Sequence, residues 1–194
     1  FNNWKRTEAY ALRPLGGGTW EIVLPAMFLE HGTLYKLYIE WKGGGAERIP
    51  AYVTRAVQDP VTKTFCAQVW DPAQPYVWRN AKPGKRPNPL IYECHIGMSG
   101  EEEKVTSYTE FREKILPRIV ADGYNCIQIM AIQEHPYYGS FGYHVSSLFA
   151  PSSRFGTPEE LKELIDEAHK QGLAVIMDIV HSHAVKNQVE GLGL

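Results

Sequence analysis

From Leu90 onward three continuous apolar runs, Leu90 to Ile96, Asn125 to Ile132 and Leu173 to Val180, alternate with two segments of helical periodicity. Strands that lack a polar face need cover on both sides, so the pattern predicts a parallel sheet joined by helical crossovers, an α/β arrangement. Ser107-Tyr108-Thr109-Glu110 is a capping box ahead of Phe111, Ile115, Leu116 and Ile119, which share one helical face. Gly123 closes that helix, and Pro117 inside it predicts a kink or local break. Thr157, Pro158 and Glu160 open a second helix that carries Leu161, Leu164, Ile165 and Ala168 and ends at Gly172. A closed (β/α)8 barrel takes about 250 residues and eight strands. Residues 90–194 supply three strands, so they form either a small open sheet or the first βαβαβ portion of a barrel cut short. The chain begins at Phe1 without methionine and finishes at Glu190-Gly191-Leu192-Gly193-Leu194 without a cap, so truncation at both ends is the simpler expectation.

The first part of the chain reads differently. All five tryptophans, Trp4, Trp20, Trp41, Trp70 and Trp78, precede residue 79. Short strand-like runs, Trp20 to Leu24, Leu34 to Trp41 and Phe65 to Trp70, follow one another without helices and are punctuated by Gly16-Gly17-Gly18 and Gly43-Gly44-Gly45. That spacing suggests a β-sandwich over residues 1–82, with the tryptophans mostly filling its core. Ala81 to Pro89, with three prolines and a glycine, cannot continue a sheet interior, which places a linker at residues 83–89 and the barrel portion at 90–194.

Composition narrows the function. With 44% hydrophobic residues and a formal charge of -2, the chain can bury a core and gives no electrostatic reason to bind nucleic acid or an anionic membrane. No run is long and apolar enough to cross a bilayer, and no secretion signal opens the chain, so the cytoplasm is the expected location. The three cysteines, Cys66, Cys94 and Cys126, lie in apolar runs without CxxC spacing and read as buried thiols of a reducing compartment.

Ligands of parallel α/β sheets bind beyond the carboxyl ends of the strands. Here those ends are polar: Glu93, Cys94 and His95; Gln133, Glu134 and His135; Asp178, His181 and His183. The loop after the second strand carries Tyr137, Tyr138, Phe141, Tyr143 and His144. Flat aromatic rings beside acids, imidazoles and amides suit a sugar, whose apolar face stacks while its hydroxyls bond in plane. The same aromatic residues could equally pack the loop against the sheet. The rival chemistry is a metal-dependent hydrolase using His181 and His183, an HxH pair that still needs a third ligand. A glucan-binding module without chemistry is the third option.

Asp178-Ile179-Val180-His181-Ser182-His183 resembles the first signature region of the α-amylase superfamily, glycoside hydrolase family 13: an Asp, two aliphatics, two variable positions and a His. The stretch from Met130 to Gly156 resembles the 1,4-α-glucan branching enzymes, as does the run from His181 to Asn187. Phe1-Asn2-Asn3-Trp4 resembles the FNxW motif of carbohydrate-binding module family 48, an immunoglobulin-like β-sandwich that precedes the barrel in these enzymes. The resemblance implies that Tyr143 stacks on the glucose at the cleavage subsite, that His183 bonds its hydroxyls and that Asp178 orders the site beside them. It implies an α-glucan as partner, such as glycogen, starch or a maltooligosaccharide, with no cofactor and no metal. The parent reaction would cut an α-1,4-glucan and transfer the chain to a 6-hydroxyl, with α-amylase-type hydrolysis as the alternative. The nucleophile and acid/base match no position here, so no residue of this chain is assigned a catalytic role and the fragment is expected to be inactive. An uncovered barrel edge is expected to favour self-association.

Overall fold

The computed structural model describes residues 2–85 and 87–186. Phe1, the end of the HSHAVKN run at Asn187 and the final residues 190–194 lie outside the described residues. In the second part of the chain β8 (Ile91–Cys94), β9 (Cys126–Ile129) and β12 (Ala174–Met177) form a parallel sheet in the order β8-β9-β12. The register is continuous, with Ile91 and Ala174 both opposite Cys126. Each strand therefore neighbours the next in the chain.

The crossovers pack on each other as well as on the sheet. The first is α1 (Tyr108–Glu110), a wide π turn (Phe111–Ile115) and α2 (Leu116–Ala121); the second is α3 (Pro158–Lys170), and α1 contacts α3. Neighbouring helices that touch, over strands in sequence order, are the winding of a barrel wall and not of a doubly wound sheet. Both predicted capping boxes are present, with Ser107 Oγ accepting from the Glu110 amide at 3.1 Å and Thr157 Oγ1 from the Glu160 amide at 3.2 Å. The predicted break at Pro117 takes the form of the π turn: the proline has no amide to offer the previous turn, and the Leu116 amide instead reaches back to the carbonyl of Phe111. Phe111, Leu116, Ile119, Ile127, Ile129 and Leu164 form the centre of the main core, each at most 2% exposed. Burying a side chain of that size stabilises the fold by about 1.5–3 kcal/mol.

The front part is antiparallel throughout. β1 (Arg13–Gly16) pairs with β2 (Thr19–Glu21), β4 (Leu37–Trp41) pairs with β5 (Gly44–Arg48), and β3 (Leu34–Tyr35), β7 (Phe65–Gln68) and β6 (Ala56–Gln58) make a three-stranded sheet. The single strand expected from Leu34 to Trp41 is two, divided at Lys36 and assigned to different ladders. The expected tryptophan core is absent among the described residues. Trp4, Trp20, Trp41 and Trp78 are exposed and Trp70 is half-buried, whereas Val53, Ala56, Phe65 and Ala67 make a small core together with Ala150 from the second part. One ring, Phe65, fills this small core among short side chains, and the indoles are left on the periphery.

Contacts join the two parts on both sides of the proline-rich segment. Arg55 Nη1 donates to the carbonyl of Gly156 at 2.5 Å, and Trp70 Nε1 donates to Glu159. Asp166, fully buried on α3, accepts five hydrogen bonds: from Tyr76 Oη at 2.6 Å, from Arg79 N and Nε at 3.1 and 3.2 Å, and from Asn80 N and Nδ2 at 2.9 and 3.1 Å. Burial alone would push this carboxyl up; the hydrogen bonds outweigh it and hold Asp166 well below the usual carboxylate range.

Candidate substrate-binding site at the strand ends

The carboxyl ends of β8, β9 and β12 converge on the long loop that follows β9. That loop carries a two-stranded ladder of β10 (Gln133–Glu134) and β11 (Ser147–Pro151). Between these strands the chain makes a tight return at Phe141 and Gly142. Phe141 lies in the left-handed region with φ 53°, and Ala131, where the loop leaves β9, has φ 33°. Gly142 has φ +91°, and a Cβ there would sit 1.9 Å from the Ala131 carbonyl oxygen, so only glycine fits this close approach. Strained non-glycine backbone on both sides of one contact fixes the direction of the residue that follows, Tyr143.

Tyr143 Oη donates to Asp178 Oδ2 at 3.1 Å. Two of the three sequence-predicted binding residues, 35 positions apart in the chain, are thereby joined by a side-chain hydrogen bond. Both are half-buried. Partial burial, then the bond to Asp178 and the charges of Asp178 and Glu93, push the Tyr143 phenol up, so the ring remains a neutral donor at physiological pH. Asp178 is anchored through its amide, which donates to the Ile129 carbonyl at 2.9 Å. A ring tethered in this way can stack on the apolar face of a pyranose while the acid accepts from its hydroxyls.

The third predicted residue, His183, is exposed, and its hydrogen bond is between Nδ1 and Ser182 Oγ at 2.8 Å. His181 is exposed as well. Among the described residues no group of three or more His, Cys, Asp and Glu side chains is placed to hold a metal ion.

The other polar strand ends serve the scaffold. Glu134 is fully buried: Oε1 accepts from the His135 amide at 3.1 Å and from Ser152 Oγ at 3.2 Å, while Oε2 accepts from the Ser153 amide at 2.6 Å. Its carboxyl is pushed up by that burial. His135, also buried, has Nδ1 on the Gln133 carbonyl at 2.9 Å, and burial pushes its imidazole down to about 4. His95 is enclosed by the rings of Tyr138, Phe141 and Phe155, and burial lowers its imidazole too. These groups order the loop, and the two imidazoles are neutral at physiological pH. All three cysteines are free and buried, with burial pushing the Cys94 thiol up to about 12. Nothing in the sequence separates Glu134 from Asp178: each is an acid after an apolar run, and only the fold shows which faces the loop tip.

Residues 122–190, which include Tyr143, Asp178 and His183, match the alpha-amylase catalytic-domain family. The chain is 44% identical over 198 residues to the 1,4-alpha-glucan-branching enzyme of Dictyostelium discoideum, an alignment covering 99% of this chain and 29% of that protein. It is 49% identical over 202 residues to 1,4-alpha-glucan-branching enzyme 2-2, chloroplastic/amyloplastic, of Arabidopsis thaliana, covering 100% of this chain and 25% of the relative. The chain thus spans less than a third of the length of the curated relatives it matches. Among solved structures, the catalytic module of the glycogen-degrading pneumococcal virulence factor SpuA superposes with a TM-score of 0.75 at 20% identity, over 92% of this chain and 32% of that one. That likeness is one of fold, and with the strand order it establishes a TIM-barrel-type architecture for the second part. Residues 122–190 thus match the alpha-amylase catalytic-domain family, and the chain is similar along its whole length to a portion of the 1,4-alpha-glucan-branching enzymes.

Proposed function

We propose that this chain is the saccharide-holding portion of a 1,4-α-glucan branching enzyme, preceded by an immunoglobulin-like sandwich of the kind found in carbohydrate-binding module family 48 over residues 1–82. In the parent reaction a carboxylate displaces the leaving glucan chain from C1, the leaving O4 takes a proton from a carboxylic acid, and a 6-hydroxyl then attacks C1 and returns its proton to the same group. Such retaining chemistry needs two carboxyl groups about 5 to 5.5 Å apart across the scissile bond. Tyr143, Asp178 and His183 fill holding roles instead, so the chain by itself grips a glucan without cutting it.

The observation that supports this reading is the Tyr143–Asp178 hydrogen bond, which joins an aromatic ring and an acid at the strand ends. Supporting it at the front, Trp4 and Phe28 line an open groove with Asn3, Glu30 and Thr33, and the indole is 56% exposed. A neutral α-glucan is the partner that suits a chain of charge -2 with mixed signs, and neither nucleic acid nor a membrane is required. No described helix is long and apolar enough to cross a membrane. The buried free thiols suit a cytoplasmic setting. Titration of maltoheptaose into the chain by calorimetry or NMR tests the reading. Binding should weaken by about tenfold in Tyr143→Ala, the loss expected for one stacked ring, and glycogen should remain unaltered in the presence of the chain. Equal binding by the variant, or remodelling of glycogen by the chain alone, overturns it.

A further inference from the structure

The segment from Asp178 to Val185 leaves β12 and runs beside the Tyr143 loop without being part of a sheet. Three backbone amides hold it. Asp178 N donates to the Ile129 carbonyl at 2.9 Å, and Val185 N donates to the Val145 carbonyl at 2.9 Å. Between them Val180 N donates to a side chain, Gln133 Oε1, at 2.8 Å. The other end of the same amide, Gln133 Nε2, donates to the Leu148 carbonyl at 2.9 Å. Gln133 is 2% exposed, and its contacts are those of a cross-piece: one arm on the segment that carries Asp178 and His183, the other on β11, which returns from the loop that carries Tyr143.

A small apolar cluster surrounds the same place. Ala131, Val145 and Val180 are buried together with Tyr143 and Leu148 packed against them, separate from the main core of the barrel wall. Apolar contact of this kind is non-directional and sets distance, whereas an amide that donates at one end and accepts at the other sets register. A one-residue slip of the segment would turn Asp178 away from Tyr143. Two anchored amides seven residues apart, at Asp178 and Val185, leave the stretch between them free to bow, and the Gln133 side chain removes that freedom at Val180.

We propose that Gln133 is a positioning residue for the glucan site: its carboxamide fixes the register of the Asp178–His183 segment against the Tyr143 loop and thereby makes the Tyr143–Asp178 pair. The glucan part of this statement rests on the function proposed above; the geometric part does not.

Two variants and two readouts separate these parts. Gln133→Met keeps the length and apolar bulk but loses both hydrogen bonds. Gln133→Glu keeps an acceptor for Val180 N in either protonation state. In Gln133→Met the Val180 amide should exchange about tenfold faster than in the parent chain, as for one lost buried hydrogen bond. The 13Cζ resonance of Tyr143, assigned through Tyr143→Phe, should then titrate closer to an ordinary phenol, while the other tyrosines are unmoved. In Gln133→Glu the Val180 amide should remain slow. If Gln133→Met leaves both the Val180 amide and the Tyr143 titration as they are, or if both variants lose them alike, Gln133 does not set the register. Maltoheptaose titration of the same samples then reads the glucan part: affinity should fall with the Tyr143 shift in Gln133→Met and persist in Gln133→Glu. Failure of the parent chain to bind would remove the glucan reading and leave the NMR result standing.

Discussion

The second part of the chain makes its stability out of one large core, and the front part borrows. Fifteen buried residues, contributed by β8, β9, both crossovers and the segments beside the strands, form the cluster around Phe111, Ile127 and Leu164. The front ladders seal only Val53, Ala56, Phe65 and Ala67, and they complete even that small cluster with Ala150 from the other side. Short antiparallel strands satisfy their backbone locally and can leave large side chains outside, whereas parallel strands hold together only through what covers them. The difference teaches where this chain is vulnerable: the second part to loss of volume, the front to loss of its anchors.

The largest effect should come from volume. Phe111→Ala, at a fully buried position facing the strands, should cost about 3–5 kcal/mol in urea denaturation. Trp20→Ala removes a larger ring that is 59% exposed and should change stability by no more than about 0.5 kcal/mol. A comparable loss from Trp20 would mean that the front is built on its tryptophans after all and would erase the contrast.

Much of the second part could be read in advance because its signals are local. Ser107 with Glu110 and Thr157 with Glu160 define helix starts within a single turn of sequence, and the glycines past the helix ends, Gly123 and Gly172, adopt φ +85° and +81°. Tyr143 and Asp178 are legible separately, each by resemblance to a family stretch, and that a hydrogen bond joins them is set by the fold. What stayed hidden was set by tertiary contact. Trp70 and the other indoles carry no mark of exposure, because a strand period of two does not say which face will meet a core. Asp166 sits in a helix among Glu159, Glu160, Glu163 and Glu167, and nothing in the sequence distinguishes the one acid that is buried. Gln133 was visible only as one polar residue of three at a strand end.

Asp166 gives the intermediate effect. Its five hydrogen bonds tie residues 76–80 to α3, so Asp166→Ala should release that strap: amides of Arg79 and Asn80 lose protection, and the melting temperature falls by several degrees. The pH dependence has a definite sign. A carboxyl held below its ordinary range contributes stability that is complete above the ordinary carboxylate pKa and is lost as pH falls through the lower, folded-state value. The gap between parent and variant should therefore be full at pH 6 to 7 and close only in strong acid. A gap that already closes near pH 4 would show that the carboxyl is not held down, and that the front is anchored through Arg55 and Trp70 instead.

The smallest effect concerns the open sides of the sheet. Among the described residues β8 and β12 each have one neighbour, so both are edges, and Ile91, Ile176 and Met177 on them are 42%, 42% and 45% exposed. An edge with unpaired amides and apolar side chains is a template for another chain. The contrast with the front is again instructive: its hairpins also have edges, but each stands alone as a two-stranded antiparallel ladder. Association should therefore run through β12 and not through the hairpins. Light scattering should show the parent chain shifting toward a dimer as its concentration rises, and Ile176→Lys, a charge on the edge strand, should restore the monomer while leaving the melting temperature within a few degrees. The paired substitution Ile39→Lys, on the exposed side of β4, should leave association as it was. If instead Ile39→Lys breaks the dimer and Ile176→Lys does not, the front hairpin is the sticky surface, and the parallel sheet, for all its open edge, is already sufficiently covered by its own helices.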